Sequence, residues 1–192
     1  LNPTSGSFNT VLHAVDYLNS QGVDDPSFGG FRTIRLEIAN GYVGESDTFM
    51  NPITVLDYPR QAATRPVVLG IASGRSDTIK VTSTVNAGIA AGMSLFRFSG
   101  CKYFTIDGNN GSGRGITMVL PAVFNTSTNK VIDMISGFNP ITASVPTTTN
   151  NAVKNCNING ISTTSAVNTF AGIYLGGIAT TPSNPLVGQN GD

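Results

Sequence analysis

The residues best suited to hold a metal ion lie between Asp107 and Asn110, where one carboxylate is followed by glycine and two amides. A carboxylate, the amide oxygens of Asn109 and Asn110 and nearby backbone carbonyls are the hard oxygen ligands that Ca²⁺ takes in proteins. The spacing matches neither the EF-hand loop nor the G-G-x-G-x-D calcium repeat. Asn and Gly are also the residues that tight turns favour. We therefore expect a turn here, with Ca²⁺ binding as the alternative.

Groups for acid–base catalysis are few and dispersed. The chain has nine Asp, two Glu and a single histidine, His13. Cleavage of a polysaccharide needs carboxylates, or basic residues with Ca²⁺-binding acids, brought together in one place. Glu37 and Asp133 fall on the polar side of alternating runs, which predicts a solvated outer face for both. The sequence therefore predicts no catalytic residue and no cofactor.

Short β runs, rather than helices, must position these side chains. Apolar and polar residues alternate within the runs, which end in Gly, Asn or Ser: TIRLEIANG, PVVLGIASG, TIKVTS, SLFRFSG, YFTIDGNNG, GITMVL, KVIDMISG, AVKNCNINGIS and AGIYLGG. Recurrent short strands with no return to helical periodicity are typical of a solenoid whose coils stack on one another. We predict an all-β fold, a right-handed parallel β-helix that occupies residues 31–192 as one domain.

A two-residue period fixes which side chains point into such a coil, because a slip of one residue would turn all of them outward. The predicted inward set is Leu36, Ile38, Leu69, Ile71, Phe96, Phe98, Phe104, Ile106, Ile158 and Ile173. Proline interrupts the pattern in residues 50–66 and 138–151, which we interpret as loops or excursions from the coil. Loops of this kind are where a scaffold carries contacts with other molecules.

Only residues 7–23 have helical periodicity. The apolar residues recur at spacings of three and four: Phe8, Val11, Leu12, Val15 and Leu18. Ser5 or Ser7 is placed to cap the first turn, and Gly22 is placed to end the last one. The first coil of a solenoid has an apolar end and unpaired backbone that must be covered. We therefore assign residues 1–30 to an amphipathic capping helix and a lead-in loop.

Charge and composition exclude two classes of partner. The 11 basic and 11 acidic side chains cancel, so the sequence lacks the basic surface of a nucleic-acid-binding or polybasic membrane-surface protein. It also lacks a run of about 18 apolar residues that would span a bilayer. Cys101 and Cys156 follow similar strand contexts, which would let them occupy related positions in different coils. Buried free thiols are the favoured interpretation, and a disulfide is the alternative.

The order of these motifs resembles the N-terminal part of the large parallel β-helix surface proteins of Bacteroidetes. The helix pattern A-x-x-x-L-N-x-x-G-V of that family is matched at Ala14, Leu18, Asn19, Gly22 and Val23. The end of an early strand is matched at Gly41 and Tyr42, and the pattern Y-x-T-I-D-G at Tyr103, Thr105, Ile106, Asp107 and Gly108. VKNCNINGI, residues 153–161, is similar to the I-x-N-C-x-I coil of the family. The resemblance covers about residues 7–175.

This resemblance implies export to the cell surface, commonly by the type IX secretion route. The implied role is that of a segment in a long modular protein used for attachment, gliding or filament formation, and no reaction is implied. The C-terminal sorting domain of such proteins is not visible in the sequence, so we expect a fragment or a processed product. Asp77-Thr78-Ile79 is similar to the short acceptor for O-glycans in Bacteroidetes, with Thr78 as the modified residue.

We therefore expect a non-enzymatic, extracellular structural or adhesive module of a bacterial cell-surface or filament-forming protein. Its expected partners are neighbouring modules or subunits of the same assembly, together with polysaccharides or cell surfaces. The alternative is a carbohydrate-binding or polysaccharide-cleaving β-helix, an architecture that pectinases and polysaccharide lyases also use. An aromatic row with two or more carboxylates on adjacent coils would favour the alternative.

Overall fold

The computed structural model describes residues 8–23, 30–45, 52–80, 94–119, 129–136, 147–159 and 170–176. Within these ranges the chain forms one helix, α1 (Val11–Gln21), and eleven strands. The strands are β1 (Ile34–Ile38), β2 (Ile53–Val55), β3 (Val67–Ile71), β4 (Asp77–Lys80), β5 (Ser94–Ser99), β6 (Phe104–Asp107), β7 (Ile116–Val119), β8 (Asn129–Ile135), β9 (Ala152–Lys154), β10 (Cys156–Asn159) and β11 (Phe170–Gly176). The predicted all-β class is confirmed.

The strands form three sheets in which every neighbouring pair is parallel. Sheet 1 has the order β1-β3-β6-β9, sheet 2 the order β4-β7-β10, and sheet 3 the order β2-β5-β8-β11. Consecutive described strands always belong to different sheets. The first pass contains β1 and β2, and each later pass adds one strand to every sheet. Parallel pairing requires long connections between partners, and here the strands of the other sheets lie within those connections.

The register places side chains of similar character in rows across each sheet. In sheet 1 one row runs through Leu36, Leu69, Ile106 and Val153. In sheet 3 the corresponding row is Ile53, Phe96, Ile132 and Ile173. These rows supply much of a single core cluster, which also contains residues of sheet 2 such as Met118.

Most of the predicted inward side chains are buried: Ile38, Leu69, Ile71, Phe96, Phe98, Phe104 and Ile106. Leu36 and Ile158 are half-buried and pack against the same core. The predicted burial of Ile173 is wrong, because its side chain is 48% exposed. Its register is still that of the core row, since it pairs with Ile132. The exposure arises because β11 is the last strand of sheet 3 in the described part of the chain.

The interpretation of residues 50–66 as a loop is wrong in one part, because they contain β2. Ile53 and Val55 are fully buried, and β2 pairs with β5 at the edge of sheet 3. Pro52 directly precedes the strand, so the missing N–H of proline removes no bond from the ladder. Most of residues 138–151 lies outside the described ranges, and Thr149 forms a parallel bridge with Lys102.

The run AVKNCNINGIS is two strands and not one. Asn155 has φ 54°, a left-handed conformation that breaks the run between β9 of sheet 1 and β10 of sheet 2. Asn is one of the few residues that adopt this conformation readily. Cys156 therefore begins a strand of sheet 2, whereas Cys101 precedes β6 of sheet 1, and the two cysteines do not occupy related positions. Both are free thiols.

Helix α1 starts later than the sequence predicts. Thr10, and not Ser5 or Ser7, is the N-cap, and its Oγ1 accepts a hydrogen bond from the N–H of His13 at 3.1 Å. The prediction for Gly22 is confirmed, because it ends the helix with φ 70° and its N–H donates to the carbonyl of Leu18 at 2.7 Å. The apolar face of the helix packs against β2 and buries Val11, Ala14, Val15 and Leu18.

Asn19 connects α1 to the backbone edge of β2. Its side-chain nitrogen donates to the carbonyl of Thr54 at 2.7 Å, and its side-chain oxygen accepts from the N–H of Leu56 at 2.9 Å. The Asn19 carboxamide therefore bonds to one backbone acceptor and one backbone donor at the edge of β2. In a longer sheet, a neighbouring strand would pair with these two groups. Unpaired edges of this kind promote association between chains.

We expect Asn19→Asp to destabilise the fold by about 1–3 kcal/mol, because a carboxylate oxygen would face the carbonyl of Thr54 with no proton to donate. Ser20→Ala is the matched control, since Ser20 is exposed and its hydrogen bonds within the described part of the chain are to Tyr17 and Gln21 of the same helix. Urea denaturation of both variants measures the difference. Equal midpoints for Asn19→Asp and Ser20→Ala would contradict the role given to Asn19.

Candidate functional site

The strongest candidate for ligand chemistry is the loop that follows β6. The carboxylate of Asp107 accepts hydrogen bonds from the N–H of Asn109 at 3.0 Å and from the side-chain amide of Asn155 at 2.9 Å. Its second oxygen lies 3.1 Å from the ammonium of Lys154. Both oxygens of Asp107 are therefore already bonded to donors from the protein.

The two amides of this loop are engaged in the same way. The side-chain oxygen of Asn109 accepts from the N–H of Gly111 at 2.9 Å. That of Asn110 accepts from the N–H and the hydroxyl of Ser112, both at 3.1 Å, while its nitrogen donates to the carbonyl of Arg75 at 2.6 Å. These contacts are side-chain turns that hold the loop against the preceding pass of the chain.

The predicted Ca²⁺ ligands therefore come together as a turn that a cation would have to disrupt. A bound ion would displace the Lys154 ammonium from Asp107 and would find one carboxylate, where Ca²⁺ sites commonly supply several anionic ligands. Across the described ranges, no group of three or more His, Cys, Asp or Glu side chains is placed to hold a metal.

The surroundings of Asp107 set its protonation. Partial burial acts to raise the pKa of its carboxyl group, but the hydrogen bonds from Asn155 and Asn109 and the charge of Lys154 outweigh it. The net effect lowers the pKa below the ordinary value of 3.8. Asp107 is therefore ionised at neutral pH, which is the opposite of what a general acid requires.

A lowered pKa makes a testable contribution to stability. A carboxylate whose pKa is lower in the folded state stabilises the fold above its unfolded pKa, and this stabilisation is lost as the pH falls through the folded value. We expect Asp107→Asn to lower the free energy of unfolding by about 1 kcal/mol at neutral pH. The wild-type and variant values should converge in acid, once the pH has fallen below the lowered pKa of Asp107 in the folded state. Thermal denaturation at both pH values measures this, and a difference that persists in acid would contradict it.

Glu37 lies on the outer face of sheet 1, as predicted. Its side chain is 47% exposed and forms an ion pair with Arg35 at 2.9 Å. The register places Glu37, Gly70, Asp107 and Lys154 in one row across β1, β3, β6 and β9. The guanidinium of Arg35 lies over Gly70, where a Cβ atom would come within 2.8 Å of it. The row therefore contains two acids, Glu37 and Asp107, which form ion pairs with Arg35 and Lys154.

The predicted solvated face is wrong for Asp133. Its residue is 1% exposed, and the neighbouring Leu95 and Val131 on the same outer face of sheet 3 are fully buried. Asp133 forms ion pairs with Arg97 at 3.2 Å and with Lys130 at 3.5 Å. The ammonium of Lys130 also lies 4.0 Å from the ring centre of Tyr174. The Arg97 pair joins β8 to β5, and loss of either cation would weaken the pairing of a buried carboxylate, which is strongly destabilising.

The remaining candidates are scattered over the molecule. His13 is exposed on α1. Phe8 and Tyr17 form a ring pair whose centres are 5.4 Å apart. Thr78 lies on β4 and is half-buried, in register with Thr117 of β7. None of these residues lies in the Asp107 loop.

Neither cysteine is placed as a nucleophile. Burial raises the pKa of the Cys101 thiol well above its ordinary value, and burial likewise raises the pKa of Cys156 to about 11. Both thiols therefore keep their protons at neutral pH, and a thiol reacts mainly as the thiolate.

One buried acid, Glu45, was not predicted from the sequence. Glu45 is 1% exposed, and its carboxylate accepts from the N–H groups of Val11 at 3.1 Å and Leu12 at 3.0 Å. The hydroxyl of Tyr42 donates to it at 2.6 Å, and burial together with this carboxylate raises the pKa of Tyr42. Glu45 thus acts as a remote cap for the positive end of α1. Its spacing along the chain gives no local signal, because the helix lies more than thirty residues earlier.

A cleft of about 590 Å³ lies between the start of α1 and the edge of β1. Phe8, Leu36, Ile38 and Tyr42 contribute apolar surface to it, and the Arg35 and Glu37 pair stands at the same strand.

Comparison with known proteins gives no relative from which a role could be read: no family model, no curated protein and no solved structure matches the chain. No helix in the described ranges is long and apolar enough to cross a membrane.

Proposed function

We propose that the chain is a right-handed parallel β-helix and serves as a non-enzymatic structural or adhesive module of an extracellular bacterial surface or filament-forming protein. The observation that carries the proposal is the arrangement of three parallel sheets in the described part of the chain, to each of which every pass from β3 onward adds one strand. A β-helix is the architecture in which successive passes build several parallel sheets at once. Its partners are neighbouring modules or subunits, and polysaccharides or cell surfaces.

The polar groups on the outer faces support a structural role. Arg35 bonds to Glu37 within β1, Arg75 bonds to Asp77 at the start of β4, and Lys154 of β9 bonds to Asp107 of β6. The first two pairs are local, and the third joins successive passes of the chain. Each acid is neutralised by its cation, so none of the three is free for proton transfer. The resemblance to the Bacteroidetes surface proteins, including Thr78 as an O-glycan acceptor, agrees with this role and gives it a location outside the cell.

One observation favours the alternative, a β-helix that binds or cleaves polysaccharide. Glu37 and Asp107 share a row and are separated by one strand, so their Cα atoms are roughly 10 Å apart. Pairs of carboxylates about 6.5–9.5 Å apart are used by inverting glycosidases. Against cleavage stand the lowered pKa of Asp107 and the Arg35 and Lys154 cations that pair with the two acids.

Incubation of the purified protein with acidic and neutral polysaccharides separates the two proposals. We expect no release of reducing ends or unsaturated uronates. Glu37→Gln, Asp107→Asn and Asp133→Asn are the informative variants, with circular dichroism to show that each is folded. Product release by the wild type that any of these folded variants abolishes would overturn the non-enzymatic proposal. Binding of a polysaccharide without cleavage would exclude the cleaving form of the alternative and would agree with an adhesive or carbohydrate-binding module.

A further inference from the structure

Asn-Gly pairs are places where a protein chain can modify itself, and the sequence contains four of them. In this reaction the backbone nitrogen of the glycine attacks the side-chain carbonyl of the asparagine. Glycine has no Cβ, so it leaves the approach to that nitrogen unhindered. Asn40-Gly41 and Asn110-Gly111 lie within the described part of the chain, whereas Asn159-Gly160 and Asn190-Gly191 extend beyond it. The two described pairs differ in the contacts that control the reaction.

The first pair lies in an open turn that follows β1. The N–H of Tyr42 donates to the carbonyl of Ala39 at 3.4 Å and closes the turn, in which Gly41 has φ 87°. Asn40 and Gly41 are both exposed, and the N–H of Gly41 donates to no other described residue. A Cβ atom at Gly41 would have no neighbour within 4 Å. The Asn40 side chain therefore reaches this nitrogen without displacing another part of the chain.

Arg75, from the next pass of the chain, bonds to the same asparagine. Its Nη1 donates to the side-chain oxygen of Asn40, and its Nη2 donates to the carboxylate of Asp77 at 2.7 Å. Attack on the carboxamide moves negative charge onto that oxygen, and a donor already aimed at the atom stabilises the charge as it develops. The Arg75 side chain is 26% exposed, so water screens its charge only in part. The position of Arg75 therefore favours reaction at Asn40.

The fold protects the second pair. Asn110 is 7% exposed, and its side-chain oxygen accepts from both the N–H and the hydroxyl of Ser112. Its side-chain nitrogen donates to the carbonyl of Arg75 at 2.6 Å. The N–H of Gly111 donates to the side-chain oxygen of Asn109 at 2.9 Å. All of these hydrogen bonds must break before the Gly111 nitrogen can attack the Asn110 carboxamide.

We propose that Asn40 deamidates spontaneously in the folded protein, with the guanidinium of Arg75 stabilising the oxyanion, whereas Asn110 stays intact. The Gly41 nitrogen gives its proton to solvent and forms a bond to Cγ of Asn40. The bond from Cγ to Nδ2 then breaks, and Nδ2 takes a proton from solvent and leaves as ammonia. Water opens the resulting cyclic imide at either carbonyl, which gives aspartate or isoaspartate. The reaction involves no oxidation or reduction.

The modification changes a wall of the cleft between α1 and β1, which Asn40 and Gly41 line. It gives a negative charge to a chain whose basic and acidic side chains otherwise cancel. The new carboxylate lies beside Arg75 and competes with Asp77 for its guanidinium. Isoaspartate also adds a carbon atom to the backbone of the turn. This inference goes beyond the proposed function and does not depend on it.

Peptide mapping by mass spectrometry, after incubation at mildly alkaline pH, measures all the Asn-Gly pairs separately in one sample. In the folded wild type we expect Asn40 to deamidate roughly tenfold faster than Asn110 or more, because each hydrogen bond that must break adds to the barrier at Asn110. In urea, where neither pair keeps its folded contacts, the two rates should become similar. An isoaspartate-specific methyltransferase should label the product at Asn40, and aspartate without isoaspartate would contradict the cyclic imide.

Two variants test the role of Arg75, with circular dichroism to show that each is folded. Arg75→Gln keeps a long polar side chain but removes the charge, and it should slow deamidation of Asn40 by about tenfold, the effect of one charge-assisted hydrogen bond. Asp77→Asn is the matched control, because it removes the ion pair of Arg75 but leaves Nη1 on Asn40. It should deamidate at the wild-type rate.

Equal rates at Asn40 and Asn110 in the folded wild type would overturn the proposal. So would a folded wild type in which neither asparagine reacts while both react in urea. These two comparisons need no variant. A folded Arg75→Gln that deamidates as fast as the wild type would contradict the role given to Arg75.

Discussion

Replacing Ile106 by Asp is expected to leave little folded protein. Ile106 is fully buried in the core row between Leu69 and Val153, so the new carboxylate would have neither water nor a cation beside it. An unpaired buried charge costs several kcal/mol or more, and domains of this size are stable by only about 5–15 kcal/mol. Circular dichroism and the soluble yield measure the effect.

Two further variants provide reference values for the loss of stability expected of Ile106→Asp. Ile106→Ala leaves a cavity without a charge and should cost about 2–5 kcal/mol. Thr105→Asp changes the next residue, which points to the opposite face of β6, and should remain folded within about 1 kcal/mol of the wild type. If Ile106→Asp folded as well as Thr105→Asp, the assignment of inner and outer faces would be wrong.

Deletion of residues 1–22 is expected to cause aggregation rather than a uniform loss of stability. It removes α1, whose apolar face covers β2, and it removes Asn19 from the backbone of Thr54 and Leu56. Ile53 and Val55 would then lie beside an open edge, which other chains can extend. The deletion also leaves the buried carboxylate of Glu45 without the N–H groups of the helix.

Light scattering over a range of concentrations distinguishes this outcome from reversible association. The matched control is a full-length Phe8→Ser variant, which removes an exposed apolar residue and its ring contact with Tyr17 but leaves the packing of α1 on β2 in place. The truncated chain should form large, irreversible aggregates, whereas the control should behave like the wild type or associate less. A truncated protein that stays monomeric at high concentration would refute the capping role of α1.

Local sequence patterns were sufficient for most strands. Alternating apolar residues predicted β1, β3, β5, β6 and β7, because each of these strands turns every second, apolar side chain towards the core. The same rule failed for β2, which has only three residues and follows Pro52. It also failed to separate β9 from β10, because a single left-handed Asn155 changes the direction of the chain without interrupting the apolar pattern.

The interactions that close the N-terminal end could not be derived from spacing alone. Glu45 meets the start of α1 and Asn19 meets β2 only once the chain has folded, across more than thirty residues in each case. Asp133 was assigned to a solvated face because alternation identifies a face but does not say whether other parts of the chain cover it. The Asp107 loop was predicted as a turn from its Gly and Asn residues, and the contact of Asp107 with Lys154 adds a partner from the next pass.

Disulfide mapping of paired cysteines tests the stacking of successive passes most directly. Thr78, Thr117 and Asn157 form one outer row of sheet 2 on β4, β7 and β10. In a background in which Cys101 and Cys156 are replaced by Ala, the pairs Thr78→Cys with Thr117→Cys and Thr117→Cys with Asn157→Cys should both oxidise, because neighbouring strands are about 4.8 Å apart. The pair Thr78→Cys with Asn157→Cys spans two strand intervals and should stay reduced. Oxidation of that outer pair, with the two neighbouring pairs reduced, would contradict the parallel stack on which the proposed function rests.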